Sequence, residues 1–276
     1  MCIMFIYRNA EAKGDTYRII LASNRDESLK RPTATAHWWK NYPRCLGGVD
    51  MEPGKEGGTW LALSTEGRFG ALLNLTGEKR STTTPGEGRG YLVKDYIISD
   101  VSADKYLANL YEKNRYEQIY NPFNLILVNL WNTHVSLLCS AENSEGPEKC
   151  LDTILGFGNS PTGRPLKKVT LGKERFKNIV QDATILDQDK IIENLIEFLR
   201  WNEKHLPDPE LESRAPNWYK DLSSVFVHIQ DAEYGTRAHS ILMVDGSNRL
   251  TFVEETLTPD ASWKRQTFTT ELQIFM

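Results

Sequence analysis

Length, composition and charge exclude several classes of protein. The chain has 276 residues, of which 40% are hydrophobic and 25% charged, and its formal net charge is −4. A chain of this length can bury a full core without disulfides or a metal. Its basic residues are scattered rather than clustered in a stripe, which argues against nucleic-acid binding. No apolar run reaches the roughly 20 residues that a membrane-spanning helix needs.

The cysteines and the N-terminal segment indicate an intracellular protein. Cys2, Cys45, Cys139 and Cys150 lie far apart and form no CxxC pair, so they suit a reducing compartment better than a disulfide framework or a zinc site. The first residues lack the basic region and the cleavage site of a signal peptide. We therefore expect a soluble cytoplasmic protein that is not integral to a membrane and has no catalytic metal.

The first half of the chain predicts three β-hairpins and two helices. Apolar runs separated by polar turns give the hairpins Ile3–Tyr7 with Tyr17–Ala22, Trp60–Ser64 with Phe69–Leu75, and Phe123–Leu130 with His134–Cys139. Between the second and third hairpins, the helices Tyr91–Ile98 and Ala103–Asn114 follow one another. Ser102 is placed to cap the second of them.

The second half predicts two helices and then a β-meander. Leu171–Asp182 and Asp187–His205 are the helices, and the longer one carries a broad apolar face. The strands of the meander and its edge are Ser224–Ile229, Ser240–Val244, Leu250–Glu254 and Thr267–Leu272. Strands and helices come in groups and do not alternate, so we expect an α+β fold with antiparallel sheets and helices outside them. The polar stretches, including Pro207–Lys220, read as surface loops within one domain, 1–276.

Cys2 is the first residue with a possible chemical role. Removal of Met1 would leave a thiol and an α-amine on one residue. The amine titrates near pH 8 and the thiol near 8.5, so the amine can accept the thiol proton at about neutral pH. The alternative is that Cys2 is a small buried hydrophobe at the start of a strand.

Further polar residues follow the predicted strands. Ser23–Glu27 come directly after the second strand, where an arginine lowers a thiol pKa and a carboxylate can hold an α-ammonium. The alternative is a solvated charged turn. Asn74 ends a strand, Asn159 stands in a glycine turn and Arg237 lies just before a strand. Asparagine amides and glycine-loop N–H groups form oxyanion holes, although asparagine is also common in ordinary turns.

Taken together, these segments resemble a known family. In order along the chain, MCI, SNRDE, GKEGGTWLAL, ALLN, GFGNSP and YGTR resemble the NRDE-motif family of transport and Golgi organisation 2 proteins, from residue 1 to about residue 255. The resemblance implies the four-layer αββα sandwich of N-terminal-nucleophile hydrolases, with bile-salt and penicillin-V amidases as enzymatic relatives. It implies a catalytic site of six residues: Cys2, Arg25, Asp26, Asn74, Asn159 and Arg237.

The resemblance also implies a role for each of these residues. Cys2 would be the nucleophile, Arg25 and Asp26 would tune its thiol and anchor its α-amine, and Asn74 would donate to the oxyanion. Asn159 and Arg237 would complete the site. The implied reaction is attack of the Cys2 thiolate on an amide or thioester carbonyl, followed by hydrolysis of the acyl-enzyme.

The family resemblance leaves three functions open. Such proteins are associated with haem trafficking between organelles and cytosol, and with acyl-CoA and lipid homeostasis. The first expectation is therefore a haem chaperone or carrier, in the cytoplasm or associated with mitochondria or the secretory pathway. The second is an amidase or thioesterase that uses Cys2, and the third is an acyl-CoA or lipid-binding module on the same scaffold.

An aromatic cluster could form the ligand pocket for haem or an acyl chain. The cluster contains His37, Trp38, Trp39 and Trp60. The alternative interpretation is that these residues are ordinary aromatics of the core or of a lid. Haem iron is usually bound by His, Cys, Met or Tyr. The candidate iron ligands in this sequence are several methionines together with His37, His134, His205, His228, His239, Cys2 and Cys45. Nothing in the sequence favours one of these candidates over the others. His228 and His239 lie in strand patterns and are expected to be core histidines.

Overall fold

The described residues form two compact units. The computed structural model of the chain describes residues 2–78, 88–142 and 144–273. The first unit contains the described residues of 1–30 and 152–272, and the second contains those of 31–151 and 273–276. Each unit consists of one antiparallel sheet with helices packed on it.

The sheet of the first unit places β2 at its centre. Its strands are β1 (Ile3–Arg8), β2 (Tyr17–Ser28), β10 (Ile154–Phe157), β11 (His228–Ile229), β12 (Tyr234–Asp245), β13 (Arg249–Leu257) and β14 (Trp263–Glu271). The order is β10-β1-β2-β12-β13-β14, and β11 pairs with β12. Strand β2 therefore has hydrogen-bonded neighbours on both sides, β1 and β12.

Helices cover one face of this sheet. They are α3 (Lys167–Val180), α4 (Gln188–Leu199), α5 (Pro209–Arg214) and α6 (Tyr219–Leu222). Alternate residues of the central strands, such as Phe5 and Ala22, point into a core that also contains Phe176 and Leu195 from the helices. Gly158 and Gly172 allow α3 to approach the strands closely. A Cβ at Gly172 would lie 2.4 Å from the Phe5 ring.

The second unit is a meander in which each strand pairs with the next one along the chain. Its strands are β3 (Thr33–Trp39), β4 (Tyr42–Asp50), β5 (Leu61–Ser64), β6 (Arg68–Asn74), β7 (Phe123–Asn129), β8 (His134–Cys139) and β9 (Glu148–Cys150). Helices α1 (Gly90–Ile98) and α2 (Ala103–Glu117) connect β6 to β7 and pack on the sheet. Ser102 caps α2 by accepting a hydrogen bond from the Lys105 N–H, as predicted.

The predicted α+β class with antiparallel sheets is confirmed. All three predicted hairpins form, as β1–β2, β5–β6 and β7–β8. One sheet with its helices in each unit provides the components of the predicted sandwich. None of the helices in the described ranges is long and apolar enough to cross a membrane.

Several element predictions were wrong. The predicted strand Ser224–Ile229 is reduced to the two residues of β11, because only these pair with β12. The predicted helix Asp187–His205 ends at Leu199. Pro207–Lys220 is not a plain loop, because α5 begins there with Asp208 as its N-cap and a proline in its first turn. Strands β3 and β4 were not predicted.

Candidate functional site

The motif after the second predicted strand is not a turn. Strand β2 continues through it to Ser28, because β1 and β12 both pair with this part of the strand. Asn24, Arg25 and Asp26 are 0%, 7% and 4% exposed, so the alternative of a solvated charged turn is wrong. Side chains alternate along a strand, which places Asn24 and Asp26 on the face that carries the helices and Arg25 on the other.

Cys2 lies immediately before β1, next to this motif. Its side chain is partly buried, and its Sγ lies 3.9 Å from the backbone oxygen of Asp26, to which the thiol can donate. Burial raises the pKa of the Cys2 thiol, and the charge of Asp26 raises it further, whereas the charge of Arg25 lowers it. The thiol therefore depends on nearby cations or bases to become a thiolate. Met1, whose removal the sequence suggested, lies outside the described residues.

Asp26 is a buried carboxyl held in place from β12. Its Oδ1 accepts a hydrogen bond of 2.6 Å from the Thr236 hydroxyl, which in turn accepts one of 2.9 Å from the N–H of Val227. Its backbone oxygen accepts a further bond from the Tyr234 hydroxyl. Burial raises the pKa of Asp26, and the positive charge of Lys168 is among the effects that oppose this rise.

Lys168 is a residue that the sequence reasoning missed. It lies in the first turn of α3, is 0% exposed, and its Nζ donates a hydrogen bond of 3.0 Å to the backbone oxygen of Ser224. Burial lowers the pKa of Lys168, while the negative charges of Asp26 and Cys2 raise it. A signal was present, because Lys168, Gly172 and Phe176 are spaced by four residues and so share the inner face of the helix.

Asn159 and Arg237 belong to the same unit as Cys2. Asn159 is 1% exposed and follows β10, the strand that pairs with β1. Arg237 occupies a bulge in β12 between Thr236 and Ala238, which pair with Asp26 and Arg25. Its Nη1 donates to the backbone oxygen of Ser28. The bulge therefore places Arg237 at the level of the motif, as bulges next to functional sites often do.

Asn74 and the aromatic cluster lie in the second unit. Asn74 is the last residue of β6 and is exposed. Trp39 is part of the core of this unit, and its Nε1 donates to the backbone oxygen of Gly47. The Trp60 ring covers Gly48, whereas His37 is exposed. The oxyanion role of Asn74 and the predicted ligand pocket stay predictions.

Two of the candidate haem ligands are buried in the first unit. His239 is 0% exposed, its Nδ1 lies 2.6 Å from Asn24 Oδ1, and its ring stacks on Trp263 at 4.3 Å. Burial lowers its pKa to about 3, so the ring is neutral at physiological pH. His205 is 4% exposed, whereas His228 is exposed, so the expectation that it is a core histidine was wrong. Within the described residues, the Nε2 atoms of His239 and His205 have no hydrogen-bond partner.

Comparison with known proteins places the chain in a family. The family model for "Transport and Golgi organisation 2" matches residues 1–259. The chain belongs to this family. The transport and Golgi organization protein 2 of Drosophila melanogaster is 37% identical over 280 residues, which cover 96% of each chain. The Homo sapiens homolog is 33% identical over 99% of this chain and its own full length.

A solved structure offers only a weak further likeness. The C2A mutant of the conjugated bile acid hydrolase from Clostridium perfringens superposes with a TM-score of 0.49 and 8% sequence identity. The superposition covers 99% of this chain and 92% of that one. A likeness at this level carries no argument about activity, so the function of this member of the transport and Golgi organisation 2 family rests on its own residues.

Proposed function

We propose that the chain is a cysteine N-terminal-nucleophile hydrolase that acts on an amide or an acyl thioester. The observation that carries this proposal is the position of the Cys2 thiol, 3.9 Å from the backbone oxygen of the buried residue Asp26. A buried carboxyl beside Cys2 suits the α-ammonium that removal of Met1 creates, and thiols become reactive beside positive charges such as that of Arg25. Both charged groups are held by the central strand of the sheet.

The proposed chemistry uses the two functional groups of a processed Cys2. The α-amine accepts the thiol proton, and Sγ forms a bond to the substrate carbonyl carbon. Collapse of the tetrahedral intermediate breaks the C–N bond of an amide or the C–S bond of a thioester. The leaving group takes the proton from the α-ammonium, and water then hydrolyses the acyl-enzyme to a carboxylic acid and the free thiol.

Asp26 and Arg25 support this cycle from opposite faces of β2. Asp26 holds the α-amine in place, because it is fixed by Thr236 and cannot rotate freely. Arg25 contributes a positive charge that favours the thiolate. Asn159 and Arg237, in the same unit as Cys2, remain proposed members of the site, and the oxyanion role of Asn74 stays a prediction from the family.

Substrate turnover with matched cysteine variants tests this proposal. Purified full-length protein is incubated with N-acyl amino acids and acyl-CoA thioesters of different chain lengths, and products are quantified by chromatography. We expect Cys2→Ala to reduce hydrolysis to the rate in buffer and Cys45→Ala, a buried cysteine of the second unit, to retain it. Equal hydrolysis by Cys2→Ala and the unmodified protein would contradict the proposal.

Haem carriage stays a prediction from the family. Within the described residues, the Nε2 atoms of His205 and His239 have no hydrogen-bond partner, and imidazole nitrogens bind haem iron, although both rings are buried. A haem titration monitored by the Soret band, with His205→Phe and His239→Phe, tests this function. A saturable shift lost in one variant supports it, and no saturable change contradicts it. Acyl-CoA binding and a cytoplasmic location also stay predictions.

A further inference from the structure

Lys168 lies where lysine is rarely found. A lysine is almost never fully buried unless it is paired. Close packing of α3 on the sheet brings it there. A Cβ at Gly172 would lie 2.4 Å from Phe5, and a Cβ at Gly158 would lie 2.7 Å from Val169 on the helix. Only glycine at these positions allows the first turn of α3 to lie this close to the strands.

The segment after α6 connects Lys168 to Asp26. Lys168 donates to the backbone oxygen of Ser224, and three residues further the N–H of Val227 donates to the Thr236 hydroxyl, which donates to Asp26. An ammonium has three N–H donors. In the ranges that the structure describes, the Ser224 oxygen is the one hydrogen-bond acceptor of Lys168. Because this acceptor is a neutral backbone carbonyl, the positive charge of Lys168 acts on the surrounding titratable groups.

Both anionic and cationic groups surround this buried ammonium. The titratable groups around Lys168 are Cys2 before β1, Asp26 on β2, Lys204 and His205 after α4, and Asp208 at the start of α5. Asp208 already accepts the N–H of Lys167 at 2.7 Å and that of Leu211 at 3.0 Å, so its two oxygens serve two helix N-termini. Lys204 is a second cation. Of these anions, Asp26 and a thiolate at Cys2 belong to the candidate site, and the charge of each raises the pKa of Lys168.

We propose that Lys168 is a positioning residue of the Cys2 site, whose buried ammonium keeps Asp26 ionised and stabilises the Cys2 thiolate. This inference deepens the proposed function and rests on it for the identity of the site. The electrostatic claim is separate from turnover, because it concerns the ionisation of two side chains. In the low-dielectric interior, one unscreened charge of this kind acts more strongly than a surface charge.

The pH dependence of Cys2 alkylation tests the claim. Full-length protein reacts with iodoacetamide between pH 6 and 10, and mass spectrometry follows modification of the N-terminal peptide. The comparison is made in an Asp26→Asn background, where position 26 cannot titrate. There we expect Lys168→Met to raise the midpoint by about one pKa unit, which is a tenfold lower thiolate fraction below the midpoint. Lys204→Met, which removes a cation bonded to the Ser224 hydroxyl, should leave it unchanged.

Equal midpoints with and without Lys168 would overturn the proposal, as would an equal shift in Lys204→Met. A measurement on the unmodified protein covers the case in which Lys168→Met does not fold. The ¹³C resonance of the Asp26 carboxyl, assigned with Asp26→Asn, should report an ionised group at pH 7, and a protonated group would overturn the proposal. If the protein hydrolyses a substrate but Lys168→Met does not shift the alkylation midpoint, only the role of Lys168 is refuted. If the midpoint shifts but no substrate is hydrolysed, only the proposed activity is refuted.

Discussion

The hydroxyl of Thr236 connects the segment before β11 to the site carboxyl, and its removal should be costly. Thr236→Val keeps the shape of the side chain but removes the oxygen that donates to Asp26 at 2.6 Å and accepts from Val227 at 2.9 Å. All three positions are buried. A hydrogen bond to a charged group contributes about 1.5–3 kcal/mol, and a buried N–H left without a partner costs about 1–3 kcal/mol. We therefore expect a loss of about 3 kcal/mol in the free energy of unfolding.

This loss should depend on pH with a definite sign. Burial raises the pKa of Asp26 above its ordinary value, and the Thr236 bond opposes that rise. Between a pH of about 4 and the folded pKa of Asp26, the folded state therefore binds more protons than the unfolded chain. Within this window, the free energy of unfolding falls as the pH rises. Without Thr236 the folded pKa is higher still, so this window extends upward. The deficit of Thr236→Val should grow as the pH rises.

Urea denaturation at pH 5 and pH 8, followed by tryptophan fluorescence, measures both effects. Thr251→Val is the matched control, because Thr251 is a buried threonine on β13 of the same sheet. The reasoning is refuted when the Thr236→Val deficit is the same at both pH values, or is no larger than that of Thr251→Val.

Three further predictions concern the surroundings of the site. Gly172→Ala should lower the free energy of unfolding by about 1–3 kcal/mol because its Cβ would overlap the Phe5 ring, whereas Gly163→Ala, with nothing within 4 Å of its Cβ, should not. Equal urea midpoints would contradict this. Asp208→Ala should cost about 1–2 kcal/mol in the same assay, since Asp208 caps α5 and also binds the first N–H of α3. Because the pKa of His239 is lowered to about 3, its NMR resonances should not titrate between pH 5 and 8, and a midpoint near 6.5 would refute its burial as a neutral ring.

The fold class could be predicted because most elements carry local signals. Alternating apolar runs with polar turns identified the hairpins β1–β2, β5–β6 and β7–β8. The predicted end of β2 was wrong because a run of polar residues usually indicates a turn. Here tertiary contacts keep the segment extended and buried, since the Asn24 side chain donates to the backbone oxygens of Leu199 and Val225 at the helix layer. Helix α5 had a signal in Asp208 followed by a proline, which is a typical helix start.

Part of the candidate site could also be read from the sequence. The family motifs identified Cys2, Arg25 and Asp26, which the structure places close together in one unit. Lys168 escaped because a lysine is normally taken as exposed, and its burial depends on glycines that let α3 approach the sheet. Strands β3 and β4 were not predicted because two register shifts interrupt their pairing. These shifts break the alternation of apolar and polar residues that identifies a strand.

Trapping of an acyl-enzyme tests the central claim, that Cys2 acts as an N-terminal nucleophile, most directly. The purified protein is mixed with an acyl-CoA or N-acyl amide that it turns over, quenched in acid, and analysed by mass spectrometry as intact protein and as N-terminal peptide. We predict a chain that begins at Cys2 and carries the acyl group on its sulfur, with no adduct in Cys2→Ala. Retention of Met1, or an acyl group on another residue, would contradict the account.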